Sequence, residues 1–102
     1  MLDPPILVYD EPTSGLDPLT SRAVDDLIEE TRQRFGVTSV VITHDIASCF
    51  RIAHQAVLLD RGLMAARATP EELAHGDNDV ARDFILKSGV DVEAILEARG
   101  LA

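Results

Sequence analysis

The chain has 102 residues, which is one domain at most. It is 46% hydrophobic but only 4% aromatic, so its core has to be built from Val, Ile, Leu and Ala. A net charge of −9, from 18 acidic and 9 basic residues, argues against binding nucleic acid or docking on anionic lipid, because both demand basic faces.

The start, Met1-Leu2-Asp3-Pro4-Pro5, has neither the basic region nor the apolar run of an export signal. No stretch approaches the ~20 apolar residues of a membrane span. The first element is a strand over about residues 6–10, in Ile6-Leu7-Val8-Tyr9-Asp10. Its apolar run reads as a buried parallel strand, and it ends abruptly in the carboxylates Asp10 and Glu11. Ligands of open α/β sheets bind outside the carboxyl ends of the strands, so these acids are the leading candidate site. One could serve a hard cation such as Mg²⁺, and the other could orient or deprotonate a water.

Asp17-Pro18 reads as a helix start, an N-cap acid followed by Pro at the first helical position. Ala23, Val24, Leu27, Ile28, Thr31 and Phe35 recur at helical spacing and are the expected buried stripe. Gly36 is the expected C-terminal stop. Val37 to Thr43 is a second strand, and strand, crossover helix and strand predict a right-handed βαβ unit. Both strand ends then share one rim, which brings His44 near Asp10 and Glu11. An imidazole there could hydrogen-bond a phosphate oxygen. Taken alone, a histidine at a strand end is more often a structural or capping residue.

Asp45 is expected to cap a short helix whose Ile46, Phe50 and Ala53 face inward. Ala56–Asp60 and Leu63–Ala68, joined by Arg61-Gly62, read as a hairpin. Thr69-Pro70-Glu71-Glu72 is a capping box that opens a helix ending near His75. Gly76-Asp77-Asn78 is a loop, and Asp79 to Lys87 a helix with Val80, Phe84 and Ile85 on one face. Gly89 breaks it, and a last amphipathic helix from Val92 runs to about Arg99. Residues 1–88 are thus expected to form one unit, with 89–102 as a helical tail. The lone Cys49 excludes an internal disulfide and fits a reducing cytosol. His54 and His75 show no metal-ligand spacing, and no nucleophile elbow surrounds Ser14.

Asp10-Glu11-Pro12-Thr13-Ser14-Gly15-Leu16-Asp17 resembles the Walker B motif and D-loop of ABC transporter ATPases. Val40-Val41-Ile42-Thr43-His44-Asp45 resembles their H-loop. An apolar run ending in Asp-Glu alone would favour a plain capping turn; the whole string favours the family. The resemblance implies an α/β fold: part of a P-loop NTPase-type parallel sheet, a βαβ with Walker B and H-loop strands, plus a C-terminal hairpin and helices. It implies that Asp10 helps hold Mg²⁺ through a water, that Glu11 is the general base, and that His44 contacts the γ-phosphate. It assigns Ser14, Gly15, Leu16 and Asp17 to the loop at the ATPase dimer interface. The implied cofactors are ATP and Mg²⁺. The implied partners are a transmembrane permease subunit and a second ATPase subunit, with the chain cytoplasmic and peripheral at the inner face of the plasma membrane.

Two family elements are absent from the sequence: the phosphate-cradling Gly-x-x-x-x-Gly-Lys-[Ser/Thr] loop and the Leu-Ser-Gly-Gly-Gln signature. Both precede Walker B in the family, and Met1 falls about where the signature helix would end. The isolated chain is therefore expected neither to bind ATP tightly nor to hydrolyse it, and to leave a strand edge and apolar surface uncovered. Residues 43–53 and 80–85 resemble the Mla or toluene-tolerance branch, which transports phospholipid. Two further readings stand beside the transporter: a truncated remnant that acts only as an interaction module, and an ABC-like head domain of DNA repair or chromosome maintenance. The acidic charge and the Val57–Gly62 hairpin count against the last.

Overall fold

The computed structural model describes residues 5–101, so the readings on Met1 to Pro4 and on Ala102 lie outside it. Strand β1 (Ile6–Asp10) is followed by helix α1 (Pro18–Phe35) and strand β2 (Thr38–Ile42). β1 and β2 pair in parallel, with Ile6 opposite Thr38, Val8 opposite Val40 and Asp10 opposite Ile42. This is the expected βαβ unit, with β2 one residue shorter at each end than the sequence suggested.

Helix α1 starts and stops where its end signals lie. Asp17 Oδ1 accepts a hydrogen bond from the Thr20 amide at 2.8 Å, and Oδ2 one from the Thr20 hydroxyl at 3.0 Å. At the other end Gly36 adopts φ +63°, and its amide donates to the Arg32 carbonyl at 3.0 Å. Only glycine takes that left-handed conformation without steric cost.

The buried face of α1 overlaps the expected one at Ile28, with Val24 and Thr31 half-buried, but is rotated away from Leu27 and Phe35. Ser21, Asp25 and Ile28 point inward, whereas Leu27 and Phe35 are 61% and 67% exposed. The reason lies in the neighbouring helix. α2 (Ile46–Ile52) presents Ser48 and Arg51 to Asp25, so the polar side of α1 is the one that finds hydrogen-bond partners. Side chains one step round the helix, Leu27 and Phe35, are turned away.

Strand β1 is likewise not buried. Its odd-numbered side carries the half-buried Tyr9, while Ile6 and Val8 on the opposite side are 66% and 64% exposed. Val40 and Ile42, their neighbours on β2, share that open face. Among the described residues the β1–β2 pair has no third strand, which leaves its edges open, and the face carrying Ile6, Val8, Val40 and Ile42 is uncovered as well.

The second sheet is the hairpin of β3 (Ala56–Asp60) and β4 (Leu63–Ala68). Its turn residues Arg61 and Gly62 have φ +53° and +78°, the double positive φ of a two-residue turn that matches strand twist. The register shifts between Leu58 and Leu59, a bulge on the β4 side. Helices α3 (Pro70–His75), α4 (Asp79–Ser88) and α5 (Val92–Ala98) follow. Thr69 and Glu72 close the capping box at the start of α3. Asn78 caps α4 by accepting from the Ala81 amide at 3.0 Å.

The core lies between these helices and the hairpin. Phe50, Leu73, Ala81, Val92 and Leu96 form it, with Ile46, Leu58 and Ile85 packed against it. On α4 it is Ala81 that is buried, with Ile85 beside it, while Phe84 is 38% exposed. Arg99 ties α5 to the end of α2, donating to the Phe50 and Ala53 carbonyls at 2.8 and 2.9 Å. Those carbonyls belong to the last turn of α2 or just past it, where no helical partner remains for them. Among the described residues no helix is long and apolar enough to cross a membrane.

Candidate functional site

Parallel pairing delivers both strand ends to one rim. Asp10 is the last residue of β1, exposed, and sits opposite Ile42, the last residue of β2. Glu11 lies one step beyond the strand, and its amide donates to the Ile42 carbonyl at 2.7 Å. Its backbone is in the left-handed region, at φ +50°. A non-glycine residue held there stores about 1–3 kcal/mol of strain, a feature that concentrates at functional sites. The left-handed turn swings the Glu11 carboxylate off the line of the strand and towards β2.

There it meets His44. Nδ1 of the imidazole and Oε1 of Glu11 are 3.0 Å apart. A carboxylate oxygen accepts, so Nδ1 carries the proton and Nε2 is left for another partner. The hydrogen bond to Glu11 raises the His44 pKa above the ordinary imidazole value; the Glu11 charge adds to this, and Asp45 contributes a little more. With 78% of the imidazole exposed, water screens much of that attraction. The pair is thus a poised proton donor and acceptor at the surface, with neither group locked inside the protein.

A tight turn carries the chain from Glu11 to α1. The Ser14 amide donates to the Glu11 carbonyl and the Leu16 amide to the Thr13 carbonyl, both at 3.2 Å. Gly15 takes φ +76° inside this turn. Ser14, Gly15, Leu16 and Asp17 are all exposed, and Leu16 is 40% accessible. This short loop therefore offers a hydroxyl, an apolar side chain and a backbone to the outside. Asp17 is already engaged: its bonds to the Thr20 amide and hydroxyl hold its carboxyl below the usual range.

Asp10 was the candidate for the metal. Among the described residues no cluster of three or more His, Cys, Asp or Glu side chains forms a cage for an ion. The donor set still fits Mg²⁺ in one form. That ion keeps several waters and is held by one or two carboxylates together with substrate phosphates. Asp10, exposed at the strand end beside Glu11, can supply one such carboxylate; it cannot hold the ion unaided.

The remaining titratable candidates fall away from this rim. His75 pairs with Glu93 at 2.6 Å, and His54 lies 3.9 Å from Glu29, both on the surface. Burial pushes the Cys49 thiol up, with Arg99 only partly offsetting it, so it is not a reactive thiolate. Sequence reasoning missed the side chains behind the rim. Thr13 is 5% exposed and its hydroxyl donates to Asp45 at 2.9 Å. Asp25, Ser48 and Arg51 continue that chain inward. One signal was available: Asp25 and Ser21 sit four residues apart, with Ile28 three further on, which is helical spacing for a buried face.

No family model matches the chain. Individual relatives do. The chain is 36% identical to the energy-coupling factor transporter ATP-binding protein EcfA2 of Methanospirillum hungatei, over 98% of its own length and 25% of that protein's. It is 37% identical to the Fe(3+) ions import ATP-binding protein FbpC of Vibrio cholerae, over 72% of itself and 21% of the relative. Among solved structures, cbiO1 from Clostridium perfringens, part of the ABC transporter complex cbiONQ, superposes with a TM-score of 0.65 at 25% identity. That match covers 95% of this chain and 37% of the other. The chain thus spans about a quarter of the curated relatives' length. In sequence over nearly its whole length, and in fold, it corresponds to the C-terminal part of the ATP-binding domain of ABC transporters.

Proposed function

We propose that this chain supplies the hydrolytic rim of an ABC transporter ATP-binding domain: Glu11 as the general base and His44 as the group that contacts the terminal phosphate. The observation that carries the proposal is the 3.0 Å contact between Glu11 and His44 at the shared end of two parallel strands, with Glu11 held at φ +50°. Positioning and electrostatics are most of what phosphoryl transfer asks of a protein. Glu11 has a carboxylate facing solvent that can orient a water and take its proton. His44 keeps Nε2 free to face a phosphate oxygen while Nδ1–H remains bonded to Glu11. Mg²⁺, when bound, neutralises charge on the phosphates, and Asp10 would be the protein's carboxylate towards it.

Ser14, Gly15, Leu16 and Asp17 form the exposed loop proposed to face a second ATPase subunit. The bare face of β1 and β2 would lie against the remainder of such a domain. The working assembly includes a transmembrane permease, which would keep the chain peripheral at the cytoplasmic face of the membrane. The resemblance of residues 43–53 and 80–85 to phospholipid transporters favours phospholipid as the transported substrate. One of the relatives is named for Fe(3+) import instead, so transport assays need both cargo classes.

The test is complementation. The full chain alone is expected to show no ATP turnover with Mg²⁺, because it contains no phosphate-cradling glycine loop and no partner lysine. Mixed with a separately produced segment carrying that loop and the signature, it should gain turnover that Glu11→Gln abolishes. Turnover by the chain alone, or complemented turnover indifferent to Glu11→Gln, would refute the assignment.

A further inference from the structure

Behind the Glu11–His44 pair a polar chain runs inward through three elements. Thr13, in the turn after Glu11, donates to Asp45 Oδ2 at 2.9 Å. Asp45, which follows His44, caps α2 by accepting from the Ser48 amide at 3.2 Å. The Ser48 hydroxyl lies 3.1 Å from Asp45 Oδ2 and 2.9 Å from Asp25 Oδ2. Asp25, on α1 and 1% exposed, also takes Arg51 Nε at 2.8 Å and Nη2 at 2.6 Å.

This chain is not arranged for stability alone. Ser48 has one proton for two carboxylate oxygens, so it can serve only one at a time. Arg51 sets both Nε and Nη2 against one oxygen of Asp25, and the other, Oδ1, is buried with no partner. Well-packed apolar residues usually hold two helices together at least as well as a buried ion pair does. What apolar residues cannot do is fix direction, and direction is what the outer part of this chain carries. Its outer end, Thr13, lies in the turn that follows Glu11, and the next member, Asp45, adjoins His44.

We propose that Asp25 is a positioning residue for the Glu11–His44 pair, acting through Ser48 and Asp45 on the Thr13 turn. By gripping Ser48 and Arg51 it sets the angle of α2 against α1. That angle sets Asp45, and Asp45 holds Thr13. The turn from Glu11 to Leu16 is thereby anchored to a helix that touches neither catalytic candidate. This inference rests on the reading of Glu11 and His44 as the working pair, but its test does not use nucleotide, so the two can fail separately.

The experiment is amide solvent exchange by NMR on the full chain, with and without substitutions along the path. Ser48→Ala removes the bridging hydroxyl but leaves the capping amide. Asp25→Asn removes the charge, Thr13→Val the terminal hydroxyl, and Thr13→Ser keeps it. Ser48→Ala, Asp25→Asn and Thr13→Val should each speed exchange at the Ser14 and Leu16 amides by about three- to tenfold, the range of one lost hydrogen bond. Thr13→Ser and the amides of the β3–β4 hairpin should stay at wild-type rates. Unchanged turn exchange in Ser48→Ala would overturn the proposal. A uniform rise that includes the hairpin would overturn it too, since it would mean general loss of stability. If Asp25→Asn does not fold, the Ser48 and Thr13 variants decide.

Discussion

Removing either end of the Asp25–Arg51 pair should not cost the same, and the difference follows from who can reach water. Asp25 is 1% exposed, while the Arg51 side chain keeps 19% of its surface accessible. Arg51→Met preserves most of the stem and deletes both N–H groups on Asp25 Oδ2. The carboxylate is then stranded with only the Ser48 hydroxyl, which also faces Asp45. Breaking a buried pair in this way costs about 3–5 kcal/mol. Asp25→Asn keeps the shape and an oxygen acceptor for both Arg51 and Ser48, and Arg51 can turn its head towards solvent. The loss is then the charge reinforcement of the bonds, about 1–2 kcal/mol. A domain of this length holds about 5–15 kcal/mol in total, so the first variant should come close to unfolding and the second should not. Urea unfolding followed by far-UV circular dichroism reads both, provided the slope with denaturant stays constant. An Arg51→Met variant as stable as Asp25→Asn would show that Asp25 is not a stranded charge, and the argument would fail.

Three further outcomes are expected. His44 should titrate above the ordinary imidazole value because Glu11 stabilises its charged form, and Glu11→Gln should bring it down; carbon-detected NMR of the imidazole reads both, and an unmoved titration in Glu11→Gln would contradict the pair. The sign is that of a raised folded-state pKa: the contact stabilises fully below about pH 6.5 and is lost as pH rises through the higher folded value. Leu96→Ala, at a site with 0% exposure in the core, should cost about 2–5 kcal/mol in the same urea assay, and a cost below that range would mean the site collapses around the cavity. Gly36→Ala, at φ +63° with open space around the position, should cost about 1–2 kcal/mol through backbone strain alone, and a neutral result would mean the helix end re-forms without the left-handed residue.

Much of the architecture is legible in the sequence. Asp17-Pro18 and Gly36 bracket α1 because caps act within one turn of chain. Thr69 to Glu72, Arg61-Gly62 and the Asp45 cap were legible for the same reason. The rim was legible too: parallel pairing must bring both strand ends together, so His44 had to approach Glu11. What was only partly legible was which side of α1 faces inward. Apolar periodicity selects Ile28 correctly but also Leu27 and Phe35, yet a helix turns its face to whatever its neighbours satisfy. Here the neighbour offers Ser48 and Arg51, and Asp25 takes the buried place. The exposure of β1 was also hidden in the pattern. An apolar strand reads as buried, whereas burial depends on what lies across it.

By itself the sequence determined the order of elements, the ends of most helices and the identity of the acid–imidazole pair, because these depend on neighbours along the chain and on the parity of strands. Only the tertiary structure decided that Glu11 sits at φ +50° with its carboxylate on Nδ1 of His44, and that a partly buried polar line from Thr13 to Arg51 stands behind it. Both features depend on contacts between residues far apart in sequence, whose geometry is set by how α1 and α2 cross rather than by any local preference.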